Sequence, residues 1–179
     1  MRVILPLLAA SLLQAANTEH DRVQRRFDAI EQHKVRRGAE LVFTQHEINA
    51  WAAVAAPKAV PQGLRQPHIQ LGQGTATGFA LVDFVKIQQS RGKTMNWFMT
   101  KLLSGEKPVS VTVEMQSAYG QATVFLRSVQ ISGTAITGSV LDFLVKTFFL
   151  PEYPDAQIDR PFELADGIER IGIQPHGVV

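Results

Sequence analysis

The side chains that could carry chemistry are scattered, and their spacing matches no metal-binding motif. The histidines are His20, His33, His46, His68 and His176. No two of them are four residues apart, the spacing that places two imidazoles on one helix face as zinc ligands. We therefore expect each histidine to lie on the surface rather than to bind a metal.

The main nucleophile and phosphate motifs are also missing. The segment 91–94 (RGKT) resembles the end of a phosphate-binding loop, but Ile87 stands where that loop needs its first glycine. The chain has no Gly-x-Ser-x-Gly elbow of a serine hydrolase. It has no cysteine, which excludes a thiol nucleophile, a disulfide and an iron–sulfur cluster. The sequence thus predicts a protein that is not an enzyme and has no cofactor.

Two carboxylates keep a catalytic alternative open. Asp83 and Asp142 each interrupt an apolar stretch. If buried, each would need a partner or a raised pKa, whereas a solvent-facing position would make it an ordinary surface residue. The acids of the proline-rich segment 151–161 lack the one-three-five spacing of a calcium loop.

The N-terminus has the pattern of an export signal. Met1 and Arg2 precede an apolar stretch at residues 3–13, followed by small residues at 15 and 16. A signal peptide has an apolar core of about 7 to 15 residues, whereas a bilayer crossing needs about 20. We expect a signal peptide over residues 1–16 and a periplasmic or secreted location. A retained anchor and a buried first helix are the alternatives.

The remaining residues, 17–179, fit one domain. Hydrophobic residues make up 45% of the chain and charged residues 19%, which is a globular composition. The net charge of +2 is too small to predict a nucleic-acid partner. Residues 17–37 read as a mildly basic helix ended by Gly38, with either a solvated face or contact with lipid headgroups.

A glycine-rich stretch at residues 68–87 reads as one long strand. Gly72, Gly74 and Gly78 share a parity with Ala76 and Ala80, so one strand face would be almost bare. Such a face permits sharp curvature, helix packing or close approach of a ligand. From residue 79 to 85 both parities are bulky, which predicts a strand covered on both faces.

The hydrophobic pattern of the later residues predicts a helix at 93–103, strands at 109–116 and 122–132, an almost wholly apolar helix at 139–150 and a last strand within 167–179. Mixed parity near Arg127 and Ser128 indicates a β-bulge. The fold class is α+β, a single domain with a long curved antiparallel sheet and helices packed mainly on one face.

The segment 41–50 (LVFTQHEINA) leads a strand into a helix through a capping box at Thr44 and Glu47. With the glycine-rich strands that follow, this resembles small exported bacterial envelope proteins of the YpmS-like and LmeA-like kind. The resemblance implies a curved sheet wrapping a helix and binding of a lipid or another apolar molecule. No site residue can be carried over from it.

The sequence leaves two functions open. The first is binding of a lipid or other apolar ligand in a groove between the helices at 93–103 and 139–150. Its predicted ligand-binding residues are Gly72, Gly74, Gly78, Phe79, Trp97, Phe98, Phe143 and Phe148. The second is docking on an envelope protein, with the strand at 109–116 pairing at a sheet edge. Peripheral membrane contact is compatible with either function.

Overall fold

A computed structural model describes residues 4–59, 63–151, 158–164 and 167–179. The helices in these ranges are α1 (Ile4–Glu31), α2 (Gln45–Ala59), α3 (Phe84–Ser90), α4 (Trp97–Leu103) and α5 (Gly138–Leu144), and α5 continues into a π-helical turn at Val145–Phe149. The strands are β1 (Phe43–Thr44), β2 (Leu64–Leu71), β3 (Thr75–Val82), β4 (Lys107–Ala118), β5 (Gln121–Ile131), β6 (Thr134–Ala135), β7 (Pro161–Glu163), β8 (Ile173–Gln174) and β9 (Gly177–Val178).

The main sheet has the order β2-β3-β4-β5-β6, with β7 also paired to β5. All of these ladders are antiparallel. A smaller sheet has the order β1-β9-β8. The predicted α+β class with a large antiparallel sheet in a single domain is therefore confirmed, while the curvature of that sheet stays a prediction.

The single long strand predicted at residues 68–87 is wrong. The chain reverses at residues 72–74, where the Gly72 backbone N–H donates to the Thr75 carbonyl oxygen at 2.8 Å. Gly74 has a φ of +68°, a conformation that glycine adopts without a steric penalty. The two glycines therefore make a hairpin turn between β2 and β3 instead of lying on a strand face.

The stretch predicted to be covered on both sides also ends early. Strand β3 stops at Val82, and Asp83 caps helix α3 by accepting from the Lys86 backbone N–H at 3.0 Å. The alternation of apolar and polar residues cannot reveal a helix cap within an apolar run, because the same bulky residues suit a strand or a helix.

Several boundaries differ from the sequence prediction because local caps decide them. Helix α1 ends at Glu31 rather than at residue 37. Helix α4 begins at Trp97, not at residue 93, because the Asn96 side chain accepts from the Met99 backbone N–H at 2.9 Å. The predicted last strand is a hairpin of β8 and β9.

Two local predictions are confirmed in detail. At the start of α2, the Glu47 backbone N–H donates to Thr44 Oγ1 at 3.2 Å and the Thr44 backbone N–H donates to Glu47 Oε2 at 2.9 Å, which completes the capping box. In the β4–β5 ladder, Thr112 pairs with Ser128 and Val113 with Leu126, so Arg127 is the extra residue of a bulge.

Helices α3, α4 and α5 pack over one end of the main sheet. Their buried side chains join the ends of β3 and β5 in a group that we call the helical cluster: Val82, Phe84, Ile87, Met99, Leu103, Ile131 and Leu144. Leu103, which is only 1% exposed, is one of the two most deeply buried large side chains in the described part of the chain. This cluster is the principal core.

A second group of buried residues lies at the other end of β2. It comes from α1, β1, α2, β2 and β8, and we call it the N-terminal cluster: Val23, Phe43, Ala52, Leu71 and Ile173. Phe27 joins α1 to β1, with its ring centroid 4.9 Å from that of Phe43. Trp51 of α2 meets the Phe27 ring edge-on at 5.4 Å. The sheet is thus packed at two separate places.

Candidate functional site

The two faces of the main sheet differ in chemistry. Residues directly opposite one another in an antiparallel ladder point to the same face. Gly78 pairs with Ile69 on one side and with Val111 on the other, and Val111 pairs with Val129. This row and those beside it make one face almost wholly apolar.

The middle of that apolar face is only half-buried, although both of its ends are packed. We call this region the apolar strip: Ile69, Ala76, Gly78, Val111, Val113, Leu126 and Val129. On one side of it, Val82 and Ile131 belong to the helical cluster, and on the other, Leu71 belongs to the N-terminal cluster. Contiguous apolar surface of this kind marks binding sites more often than solvated surface.

The strip has open space above Gly78. A Cβ atom built on Gly78 would meet no heavy atom within 4 Å. Strand glycines weaken a sheet unless another group approaches closely, and here no described residue occupies that space. The backbone of β3 is therefore accessible to a molecule lying along the strip.

Helix α2 forms the boundary of the strip along β2. The Asn49 side chain accepts from the Ile69 backbone N–H at 2.6 Å and donates to the Ile69 carbonyl oxygen at 2.8 Å. Gln45 Oε1 accepts from the Leu71 backbone N–H at 3.0 Å. These side chains take the place of a neighbouring strand, so α2 covers this edge of the sheet.

A depression of about 150 Å³ lies at the opposite boundary, between β5 and α5. Leu126 and Val129 of the strip line it together with Ile136 and Leu141. Because Ile136 also packs against the helical cluster, the depression connects the strip with the principal core. It gives the strip a side wall that is apolar at these four residues and polar at Arg127, Ser128 and Thr137.

The other face of the sheet is mainly polar. Thr77 and Thr112 share a hydrogen bond at 3.0 Å, and Arg127 Nε donates to Glu114 Oε2 at 2.8 Å. The hydrogen bond from the Gln116 side chain and then those from Arg127 hold the pKa of Glu114 below its usual value. Charged and hydroxyl groups bonded to one another suit a solvated face.

That polar face nonetheless carries the larger hollow, of about 310 Å³, at one end. Phe79, Leu81 and Pro108 contribute its apolar lining, and Gln66, Ser110 and Gln130 its polar lining. We favour the strip over this hollow as a ligand surface because the strip is uninterrupted by polar side chains. The hollow remains a competing site that an experiment must distinguish.

The structure separates the ligand-binding residues predicted from the sequence. Gly72 and Gly74 lie in the β2–β3 turn, Gly78 lies on the strip, and Phe79 lies on the opposite face. Trp97 and Phe98 are exposed on α4. The predicted aromatic residues of 139–150, Phe143 and Phe148, lie elsewhere, against the helical cluster.

Those aromatic residues pack in the core. Phe143 and Phe148 lie against the helical cluster, and the ring centroids of Phe148 and Phe84 are 4.9 Å apart. The predicted groove between the two helices is filled by Met99, Leu103 and Leu144, which are buried together. The two helices therefore share a core through these three side chains, and ligand binding between them stays a prediction.

Sequence reasoning missed the strip residues Ile69, Val111, Val113, Leu126 and Val129. The alternation in β4 places Val111 and Val113 on the apolar face, but Ser110, Thr112 and Glu114 on the other face are half-buried as well, so the predicted water-facing side is not confirmed. The alternation carried no signal that the inward face would stay half-covered, because cover depends on elements distant in sequence.

The charged residues singled out by their positions are accounted for locally. Asp83 is buried, and besides capping α3 it lies 3.3 Å from Lys86 Nζ, so the solvent-facing interpretation is wrong for this residue. Asp142 is exposed as expected. His20 is buried, contrary to prediction, whereas His46 is exposed and 2.8 Å from Glu19.

Within the described ranges no three His, Asp or Glu side chains are grouped so that they could hold a metal ion.

The docking edge predicted at 109–116 is wrong, because β4 pairs with β3 on one side and with β5 on the other. None of the helices that the structure describes has both the length and the apolar character needed to cross a membrane.

Comparison of the chain with protein-family models, with curated proteins and with solved structures found no match.

Proposed function

We propose that this chain is an exported, non-enzymatic protein of the bacterial envelope that binds a lipid or another apolar ligand along the apolar strip. The observation that carries the proposal is the half-buried middle of an otherwise packed apolar sheet face. The apolar residues at 3–13 after Met1 and Arg2 support export.

Two features of the strip suit an elongated apolar ligand. The open space above Gly78 lets a chain lie close to the backbone of β3. The valines, the leucine and the isoleucine around it offer dispersion contacts and no buried polar group that a hydrocarbon would leave unpaired. Each buried methylene of such a ligand contributes about 0.8 kcal/mol.

Docking on a protein partner by strand addition receives less support. β4 has both neighbours in place, and the β2 edge is covered by Asn49 and Gln45. Because strand addition needs a free edge, these two strands offer no docking site of that kind.

Filling the open space above Gly78 tests the ligand proposal. Gly78→Leu places a side chain where a ligand would lie, and Gly78 has no positive φ that would strain a larger residue. We expect titration with dansyl-undecanoic acid to show at least about a tenfold loss of affinity with little change in the denaturation midpoint. Native mass spectrometry should show any co-purified adduct to be absent from the variant.

Two controls locate the site. Gln70→Leu places the same leucine side chain on the opposite face of the sheet, on β2. This variant should leave the affinity for the dansyl probe unchanged. Phe79→Ser removes the aromatic side chain from the hollow on the polar face. If Phe79→Ser abolishes probe binding and Gly78→Leu does not, the ligand occupies that hollow and the strip is not the site.

A further inference from the structure

Helix α4 has apolar side chains on both sides, although only one side faces the core. Met99 and Leu103, four residues apart, are buried in the helical cluster. Trp97 is 75% exposed and Phe98 is 62% exposed, and Leu102 lies one turn beyond Phe98 on the same outer side. Large aromatic side chains at such exposure are unusual on a purely solvated helix.

The surroundings of this outer side are basic. Residues 84–105 contain Lys86, Arg91, Lys93 and Lys101 but no aspartate or glutamate. Lys93 and Lys101 are exposed, and Lys101 Nζ lies 5.4 Å from the centroid of the Trp97 ring. The nearest acids along the chain are engaged, Asp83 with Lys86 and Glu106 with Arg65.

We propose that the outer side of α4 docks on the surface of an anionic lipid bilayer. Trp97, Phe98 and Leu102 would enter the interfacial region, while Lys93 and Lys101 meet the phosphate groups. Tryptophan prefers this region because its ring is apolar with one polar N–H, and lysine reaches the headgroups while its stem stays in apolar surroundings. Apolar burial combined with attraction to anionic lipid is how interfacial helices bind.

The positive charge around α4 favours an anionic membrane over a second copy of this chain as the occupant of the patch. A second copy of this chain would bring the same basic residues face to face, and like charges in contact disfavour association. An anionic bilayer complements both the apolar and the basic parts of the patch. This inference does not depend on the apolar strip, which lies on the sheet.

Fluorescence quenching by brominated lipid tests the contact on the full chain. The chain has two tryptophans, Trp97 and Trp51. Trp51 lies on α2 and is half-buried, and its Nε1 donates to Gln24 Oε1 of α1 at 3.0 Å. Vesicles of brominated phosphatidylcholine with phosphatidylglycerol should quench and blue-shift the emission of the unmodified protein. Trp97→Phe, which leaves only Trp51, should lose most of that response.

Side-chain variants measure the contribution of the patch to vesicle affinity. The double variant Trp97→Ser with Phe98→Ser should weaken the apparent affinity at least about tenfold. The matched control is Tyr119→Ser, since Tyr119 is 92% exposed in the β4–β5 turn and should have no effect. The double variant Lys93→Glu with Lys101→Glu should weaken binding to anionic vesicles, whereas Lys58→Glu on α2 should not.

Three results would overturn the proposal. One is quenching by brominated lipid that is the same in the unmodified protein and in Trp97→Phe. A second is equal loss of affinity in Tyr119→Ser and in the Trp97 and Phe98 double variant. A third is a dimer in analytical ultracentrifugation that dissociates when Trp97 is changed to serine, because a second copy would then cover the patch. None of these results depends on whether the dansyl probe binds at the strip.

Discussion

The apolar face of the main sheet is buried at the helical cluster and half-buried at the apolar strip. At the helical cluster, Val82 and Ile131 are buried under α3, α4 and α5. A few residues away on the same strands, Gly78 and Val129 have no such cover and are half-buried. Val82 and Val129 have the same side chain, so the difference between these two positions comes from the elements above them and not from the strands.

Apolar alternation in a strand therefore identifies its apolar face but does not identify the elements that cover that face. At the helical cluster the cover comes from this chain. At the strip the described residues supply only side walls, from α2 and from α5. A half-covered apolar surface is what remains when a sheet is longer than the helices packed on it.

A matched pair of leucines gives the largest expected effect. Leu103→Ala removes a fully buried side chain from the helical cluster and should lower the free energy of unfolding by about 3 kcal/mol. Leu126→Ala removes the same atoms from the half-buried strip and should cost about 1 kcal/mol or less. Urea denaturation followed by circular dichroism measures both. Equal losses would mean that the strip is packed as tightly as the core, and the ligand proposal would then lose its basis.

A smaller effect tests how the N-terminal cluster is held. The Thr44 backbone N–H, then the Thr44 hydroxyl and the charges of Arg26 and Arg22, lower the pKa of Glu47 below its ordinary value of 4.5, against the effect of burial. Because the folded state favours the ionised carboxylate, Glu47 stabilises the protein above that ordinary value. This contribution is lost as the pH falls through the lowered, folded-state pKa.

Glu47→Gln should therefore lower the free energy of unfolding by about 1 kcal/mol at neutral pH. The difference from the unmodified protein should shrink to nothing in acid, as the carboxyl group becomes protonated. Thermal denaturation over a pH series measures it, with the exposed Glu40→Gln as the control. A pH-independent difference would show that the contribution comes from shape and not from the charge of Glu47.

The smallest expected effect is that of Gly78→Ala, for which Gly63→Ala provides a contrast. Gly78→Ala adds a methyl group into open space on the strip and should raise the free energy of unfolding by about 0.5 kcal/mol, because alanine loses less backbone freedom on folding. Gly63→Ala is the contrast at the packed end. Its Cβ would overlap the Ile87 side chain and lie 2.9 Å from the Asp83 carbonyl oxygen, so it should destabilise by about 2 kcal/mol. Destabilisation by Gly78→Ala would place another group above the strip.

Local features of the fold could be predicted well from the sequence. The capping box at Thr44 and Glu47 and the bulge at Arg127 both follow from patterns of neighbouring residues. Hydrogen bonds between residues three apart and the period of a helix or strand are properties of a short segment, so a short segment reveals them.

The glycine-rich stretch shows where this reasoning fails. Gly72 and Gly74 suit both a bare strand face and a hairpin turn, because glycine permits either backbone conformation. Which one forms depends on whether Leu71 and Ala76 pair with each other across the turn, and they do. The candidate site was missed for the same reason, since its residues come from four different strands.

The α+β class and the approximate positions of most helices and strands could be predicted from the residues alone. Those properties rest on local caps, turns and hydrophobic periodicity. That Phe143 and Phe148 pack against the core, that Trp97 and Phe98 lie outside it, and that the middle of the sheet face is half-buried could be seen only once the fold was known. Burial depends on contacts between segments that are distant in sequence, so the same apolar side chain becomes core or exposed surface according to what packs against it.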